Sequence, residues 1–118
     1  MLTQADLAGF SGTDNYYQHW LRRFVYTDGV RYVAEEGGAY WLIDAIASYQ
    51  PKLLKDQMLQ EFQHWILNVD LNKHAAQLIC ERDTNDVVLT QDIEFTDFPL
   101  ESVNFYLTQG VLLLPSEY

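Results

Sequence analysis

The sequence predicts an α+β fold: an antiparallel sheet, made of a hairpin and a three-strand meander, packed against two or three helices. Three observations lead there. Trp65, Leu67, Val69 and Leu71 alternate with His64, Ile66, Asn68 and Asp70, the period of a strand with one buried face. From Ala39 to Tyr49 the apolar residues recur at helical spacing and reach almost all round, as in a largely buried helix. Turn chemistry is short and frequent, as at Asp28-Gly29 and Asp83-Thr84-Asn85-Asp86, so sequential strands become antiparallel neighbours while helices segregate between them.

Element by element, Thr3 and Asp6 stand at the spacing of a capping box, so a short helix starts there and Gly9 stops it. Ser11–Asn15 is a loop by composition. A strand follows near Arg22–Tyr26. Asp28-Gly29 suits a two-residue hairpin turn, where both residues take positive φ, and Val30–Ala34 is then the returning strand. Glu35-Glu36-Gly37-Gly38 breaks the pattern before the Ala39–Tyr49 helix, which Pro51 ends. Leu53–Gln60 is a second short helix. The meander takes His64–Leu71, Ala75–Arg82 and Val87–Phe95. Pro99 opens a last helix through about Leu107, because its missing N–H costs nothing in a first turn. Gly110 caps that helix, and Val111–Leu114 is extended.

The chain holds 118 residues, 48% hydrophobic and 14% aromatic. That is enough for one domain over residues 1–118 to bury a core without a disulfide or metal staple. A single cysteine, Cys80, excludes an intramolecular disulfide and a multi-cysteine zinc site; within Leu78-Ile79-Cys80 it reads as a small buried hydrophobe. Met1–Phe10 carries Asp6 and no basic residue, unlike a secretory signal, and no apolar run is long enough to span a bilayer, so a cytoplasmic protein is expected.

The formal net charge is −10 and it is unevenly placed. Residues 1–59 hold seven Asp/Glu against five Lys/Arg, and residues 60–118 hold ten against two, balances of −2 and −8. Nucleic acid and anionic membranes are poor partners for such a chain. Arg22, Arg23 and Arg31 are the one local basic group and read as a solvated strand face. The acidity serves solubility, or it steers a basic partner.

Motif searches exclude several chemistries. There is no GxGxxG, phosphate loop, HExxH or GxSxG, and Asp83–Asp86 lacks the glycine and terminal glutamate of a calcium loop. Asp44 is the weak catalytic candidate. It interrupts the apolar stretch Tyr40–Ile46, so it is expected to be buried and to need a donor: Arg22, Arg31, a histidine, a Tyr or Trp, or backbone N–H groups. His64, Asn68 and Asp70 share a strand face at ligand-like spacing, yet any solvent-facing strand shows this, and no metal or cofactor is expected. His74 lies in a turn. Tyr16, Tyr17, His19 and Trp20 form the aromatic binding candidate, with Trp41 and Trp65 assigned to the core. Asp92 and Glu94, alternating with Ile93 and Phe95 as buried residues, form the acidic one.

Four stretches together carry a resemblance: Thr27-Asp28-Gly29-Val30, Tyr40-Trp41-Leu42-Ile43-Asp44, Thr96-Asp97-Phe98-Pro99-Leu100 and Leu114-Pro115-Ser116-Glu117-Tyr118. The chain resembles, over nearly its whole length, a family of small bacterial proteins carried as a domain of unknown function. The resemblance implies a full-length domain and no activity, cofactor or catalytic residue. The leading expectation is therefore a non-enzymatic module that binds a basic protein or a second copy of itself. The alternative is a small hydrolase or isomerase using Asp44 with a nearby histidine or tyrosine; a structural subunit of a larger assembly is a third reading. Asp44 within hydrogen-bond reach of a histidine in a cleft favours the enzyme, and a flat, aromatic-edged acidic face favours the binder.

Overall fold

The computed structural model describes residues 2–118. Seven strands form a single sheet in the order β1-β2-β7-β6-β3-β4-β5. They are β1 (Tyr16–Gln18), β2 (Val25–Thr27), β3 (Phe62–Asp70), β4 (Ala75–Asp83), β5 (Asp86–Ile93), β6 (Ser102–Thr108) and β7 (Val111–Leu113). All neighbours are antiparallel except β2 and β7. The helices are α1 (Gln4–Ala8), α2 (Asp28–Gly37), α3 (Tyr40–Ser48), α4 (Gln50–Leu53) and α5 (Gln57–Glu61), with a 3-10 turn at Pro115–Glu117. The fold is α+β, as expected.

Register explains which face carries the core. Trp65 pairs with Phe105 and Cys80, Leu67 with Val103 and Leu78, and Leu107 with Leu112, so these side chains share one face. They form one buried cluster with Val30, Val33 and Ala34 of α2 and with Leu42, Ile43, Ile46 and Ala47 of α3. The opposite face stays partly open. Phe62 and Tyr106 meet there at 5.0 Å between ring centroids, and Tyr118 lies 5.4 Å from Tyr106.

The α1 expectation holds in detail. Thr3 N–H donates to Asp6 Oδ2 at 3.0 Å and Asp6 N–H to Thr3 Oγ1 at 3.2 Å, a reciprocal capping box. The Asp28-Gly29 hairpin does not form. Both residues lie in α2, and the segment expected as its returning strand is helical. Thr27 is the N-cap, its Oγ1 accepting from Val30 N–H at 3.3 Å. The burial of Val30, Val33, Ala34 and Gly37 follows helical spacing, a signal that the turn pair outweighed. The hairpin instead joins β1 to β2 through residues 19–24, so Arg22 and Arg23 occupy a loop and Arg31 a helix, and the three share no strand face.

Pro99 opens no helix. Ser102–Thr108 is a central strand whose Val103, Phe105 and Leu107 are buried at period two, and Glu101 precedes it rather than sitting in a helix turn. Gly110 caps nothing helical. Gln109 and Gly110 both take positive φ, 51° and 76°, and make the two-residue turn between β6 and β7. The α3 helix ends at Ser48, ahead of Pro51 as expected, and Pro51 itself sits in the first turn of a separate helix, α4. The expected Leu53–Gln60 helix is interrupted by Asp56, whose carboxylate accepts from Met58 N–H at 2.9 Å and starts α5.

Asp56 also meets Arg82 of β4, which donates from Nε to Asp86 Oδ2 at 2.8 Å. Desolvation pushes the Asp56 carboxyl up, but Arg82 and the Met58 and Leu59 amides outweigh it and hold the group below the usual carboxylate range. Arg82 holds Asp86 low as well. A carboxyl lowered on folding stabilises the protein above its unfolded value of about 4 and loses that contribution as pH falls toward its folded value. Between pH 5 and about pH 3, Arg82→Met should therefore show a smaller drop in melting temperature than the wild type. Parallel acid limbs in thermal melts would place the Arg82 bridge outside the acid response.

Gly29 gives a second test. A Cβ there would lie 2.5 Å from Glu117 Oε1 and 2.7 Å from Leu114 Cδ1. Glycine to alanine inside a helix ordinarily stabilises by about 1 kcal/mol. Here overpacking of about 1–3 kcal/mol opposes that gain. Gly29→Ala should lower the melting temperature, and a rise would show that Glu117 and Leu114 move aside freely.

Candidate functional site

The most developed polar arrangement lies where the β1–β2 loop meets α3. His19 N–H donates to Phe24 O at 3.2 Å and Arg22 N–H to His19 O at 2.8 Å, while Arg22 takes a left-handed φ of 58°. This closure turns His19 inward, 3% exposed, and Trp20 outward, 72% exposed. Asp44 of α3 faces both. Its Oδ1 accepts from His19 Nε2 at 2.7 Å and from Trp20 Nε1 at 2.8 Å. Of the donors expected, a histidine and a tryptophan serve, and Arg22 and Arg31 do not. Asp44 is not deeply buried as expected, its side chain being 48% exposed. It sits on the α3 flank that the loop covers only in part, with Leu42, Ile43, Ile46 and Ala47 facing the core.

The His19 tautomer follows from its neighbours. Leu21 N–H donates to Nδ1 at 3.1 Å, and an N–H can only donate. Nδ1 is therefore the acceptor and Nε2 carries the proton given to Asp44. Both ring nitrogens are engaged, which makes His19 a tie between loop and helix.

Beside this corner, the Tyr17 ring lies tilted against Tyr26 at 5.6 Å, and its hydroxyl donates to Asp28 Oδ1 at 2.8 Å. That hydrogen bond is the main reason the Asp28 carboxyl lies below its usual range. Arg31 stands 4.7 Å from the Tyr17 ring centroid and 3.7 Å from Glu35, which accepts from the Tyr40 hydroxyl at 2.7 Å. Desolvation raises the Tyr26 phenol; Arg31 pulls it down, and Asp44 and Glu35 add to the rise. Arg31 and Tyr40 stood out in the sequence in other roles, but their link through Glu35 did not, because Arg31 and Glu35 were expected in a strand and a turn. The Arg31–Glu35 spacing of four residues was the available signal.

The remaining candidates lie elsewhere. Tyr16 alternates to the other face of β1 and lines a groove with Thr27, Val111 and Glu117. Asp92 and Glu94 belong to β5 and the bend after it, at the opposite edge of the sheet from β1. The aromatic and acidic candidates therefore do not form one site. Phe95, expected in the core, is 67% exposed because β5 ends at Ile93. Trp65 is fully buried and Trp41 half-buried. His64 meets Asn104 at 2.8 Å and Glu81 at 3.2 Å, so Asn68 and Asp70 do not join it. His74 is exposed in its turn. Burial, then Glu81, pushes the Cys80 thiol up to about 12, as suits a hydrophobe. Among the described residues no three His, Cys, Asp or Glu side chains converge as metal ligands, and no helix is long and apolar enough to cross a membrane.

Removing the Asp44 carboxylate strips the acceptor from His19 Nε2–H and from Trp20. Water can partly replace it at this exposure, so Asp44→Ala should cost about 1 kcal/mol in chemical denaturation. The Trp20 indole N–H resonance should move with it. An unmoved resonance would mean the hydrogen bond does not exist in solution.

Neither a curated protein nor a solved structure matches this chain. A family match runs over residues 1–118, and by it the chain belongs to the family of unknown function DUF6876.

Proposed function

We propose that this chain is a non-enzymatic protein-binding module whose contact surface is the β1–β2 loop with the adjoining face of α3, and that its partner is basic. The observation that carries the reading is Trp20. The indole is 72% exposed, a large rigid apolar surface, and it is fixed by its N–H on Asp44. A rigid exposed tryptophan beside a carboxylate is the make-up of a binding hot spot, because its ordering cost is met before the partner arrives. Oδ2 of Asp44 receives no donor from the described residues, which leaves an anionic lone pair facing solvent. Arg31 beside this surface is held by Tyr17 and Glu35, whereas Arg22 and Arg23 are exposed in the loop itself, so the attraction for a basic partner comes from the chain's net charge of −10 and not from the loop.

The enzymatic alternative draws on one observation, the 2.7 Å pairing of His19 with Asp44. Against it, a general base needs a free lone pair, and the His19 Nδ1 lone pair already takes Leu21 N–H. A second copy as partner is disfavoured by the net charge of −10 on each chain.

Affinity purification from the native host at low salt, comparing wild type with Trp20→Ala, should return a basic protein that the variant loses. Calorimetry with that protein should then show binding weakened at least about tenfold by Trp20→Ala. Asp92→Lys with Glu94→Lys, at the far edge, should slow association at low salt and leave dissociation unchanged. A partner held equally by wild type and Trp20→Ala would move the contact surface away from this loop.

A further inference from the structure

We infer a second site, which shares the β1–β2 loop with the Trp20 surface but neither Trp20 nor Asp44: a cleft between that loop, α4–α5 and the β6–β7 turn that takes a small organic monocarboxylate with a short apolar body. The cleft has a volume of about 200 Å³. Its apolar lining is Leu54, Leu59 and Leu107, and its polar rim is Gln60, Gln109 and Arg23. Three features define the ligand.

The first is charge. Arg23 is the one ionisable residue lining the cleft, in a chain where Asp and Glu outnumber Lys and Arg by 17 to 7. Among the described residues no carboxylate pairs with it. A guanidinium unmatched at the mouth of a carboxylate-free cleft selects an anion, and its planar fork fits a carboxylate with two parallel hydrogen bonds. The second is the inner end. Gln50 and Gln63 exchange reciprocal hydrogen bonds of 3.0 and 2.8 Å, and their remaining amide protons go to Ile46 O and Leu59 O. This floor has no donor left to give, so the ligand's inner end is apolar. The third is the rim. Gln60 spends a donor on Leu54 O, whereas the Gln109 side-chain amide makes no hydrogen bond among the described residues and lines the same cleft as Arg23. The volume admits a branched acid of a few carbons and little more.

Titration of the ¹⁵N-labelled protein with 4-methylpentanoate tests this, against the neutral 4-methylpentanamide and the peptide acid acetyl-Ala-Ala-Leu. The acid should saturate, shifting the Gly110 amide and the Gln63 side-chain amide, and bind at least about tenfold more tightly than the amide. Arg23→Gln should lose about the same factor, and Arg23→Lys should recover part of it. Arg23 lies in an exposed loop, so the melting temperatures should stay together and the loss reads binding rather than folding. Equal binding of acid and amide, no saturable shift, or an Arg23→Gln titration matching the wild type would overturn the site. Tighter binding of the peptide acid than of the free acid would overturn the small-molecule assignment. None of these outcomes bears on Trp20.

Discussion

The carboxylate of Glu117 decides where α2 begins. Its Oε1 accepts from the Thr27 hydroxyl at 2.6 Å and from Leu114 N–H at 3.0 Å, and its Oε2 from Gly29 N–H at 3.2 Å. A helix start presents unpaired N–H groups and the positive end of its dipole, so an anion there is doubly favoured. Because the acceptor lies in the 3-10 turn shortly after β7, one side chain ties the start of α2 to the end of the strand on which β2 seats in parallel. Glycine permits this approach at Gly29. Gly37 does the same at the other end of α2, where a Cβ would stand 2.7 Å from Phe98. Ser116 then ties α1 in, its hydroxyl donating to Leu7 O at 2.9 Å. The stretches Thr27–Val30 and Leu114–Tyr118, far apart in the chain, are thus two halves of one joint.

A second constraint sits in the core. Gln50, Gln63 and Trp65 form a closed polar network between α4 and β3, with Trp65 Nε1 donating to Gln63 Oε1 at 2.8 Å. Among the described residues no buried side-chain nitrogen or oxygen is left without a partner. Buried amides of this kind tolerate few arrangements, because each misplacement leaves a group unpaired in a low dielectric. They position α4 against β3 more strictly than leucines would, and Tyr49 stacks on Trp65 at 6.1 Å beside them.

Much of the fold was legible where the pattern was local. The alternation through Trp65, the apolar helix through Ile43 and the Thr3–Asp6 box each formed as their own residues dictate. The failures share a cause. At Asp28-Gly29 and at Pro99, strong turn and cap signals pointed to local solutions, and distant groups overrode them. Glu117 made Asp28-Gly29 helical. The β3 and β7 neighbours drew Ser102–Thr108 into the sheet, where its period of two was the better guide. The site was legible to the same degree. Asp44 demanded a donor by chemistry alone and found His19 and Trp20. Its half-exposure was not legible, because it depends on how far the loop reaches over α3. Glu35, and with it the link between Arg31 and Tyr40, was hidden by the misread helix.

The order of the strands also has a kinetic side. β1 and β2 come early in the chain, yet they join the sheet only through β7, near residue 111. The meander of β3, β4 and β5 closes through short turns and can assemble as soon as it is made. The early hairpin cannot dock until β6 and β7 exist to receive it, so its apolar side, with Phe24 and the α2 residues Val30 and Val33, must wait undocked during synthesis. Long-range pairing of this kind slows folding and lengthens the exposure of sticky surface. Most of the acidic surplus lies in residues 60–118, so the waiting segment gains that repulsion between copies only as the second half of the chain emerges.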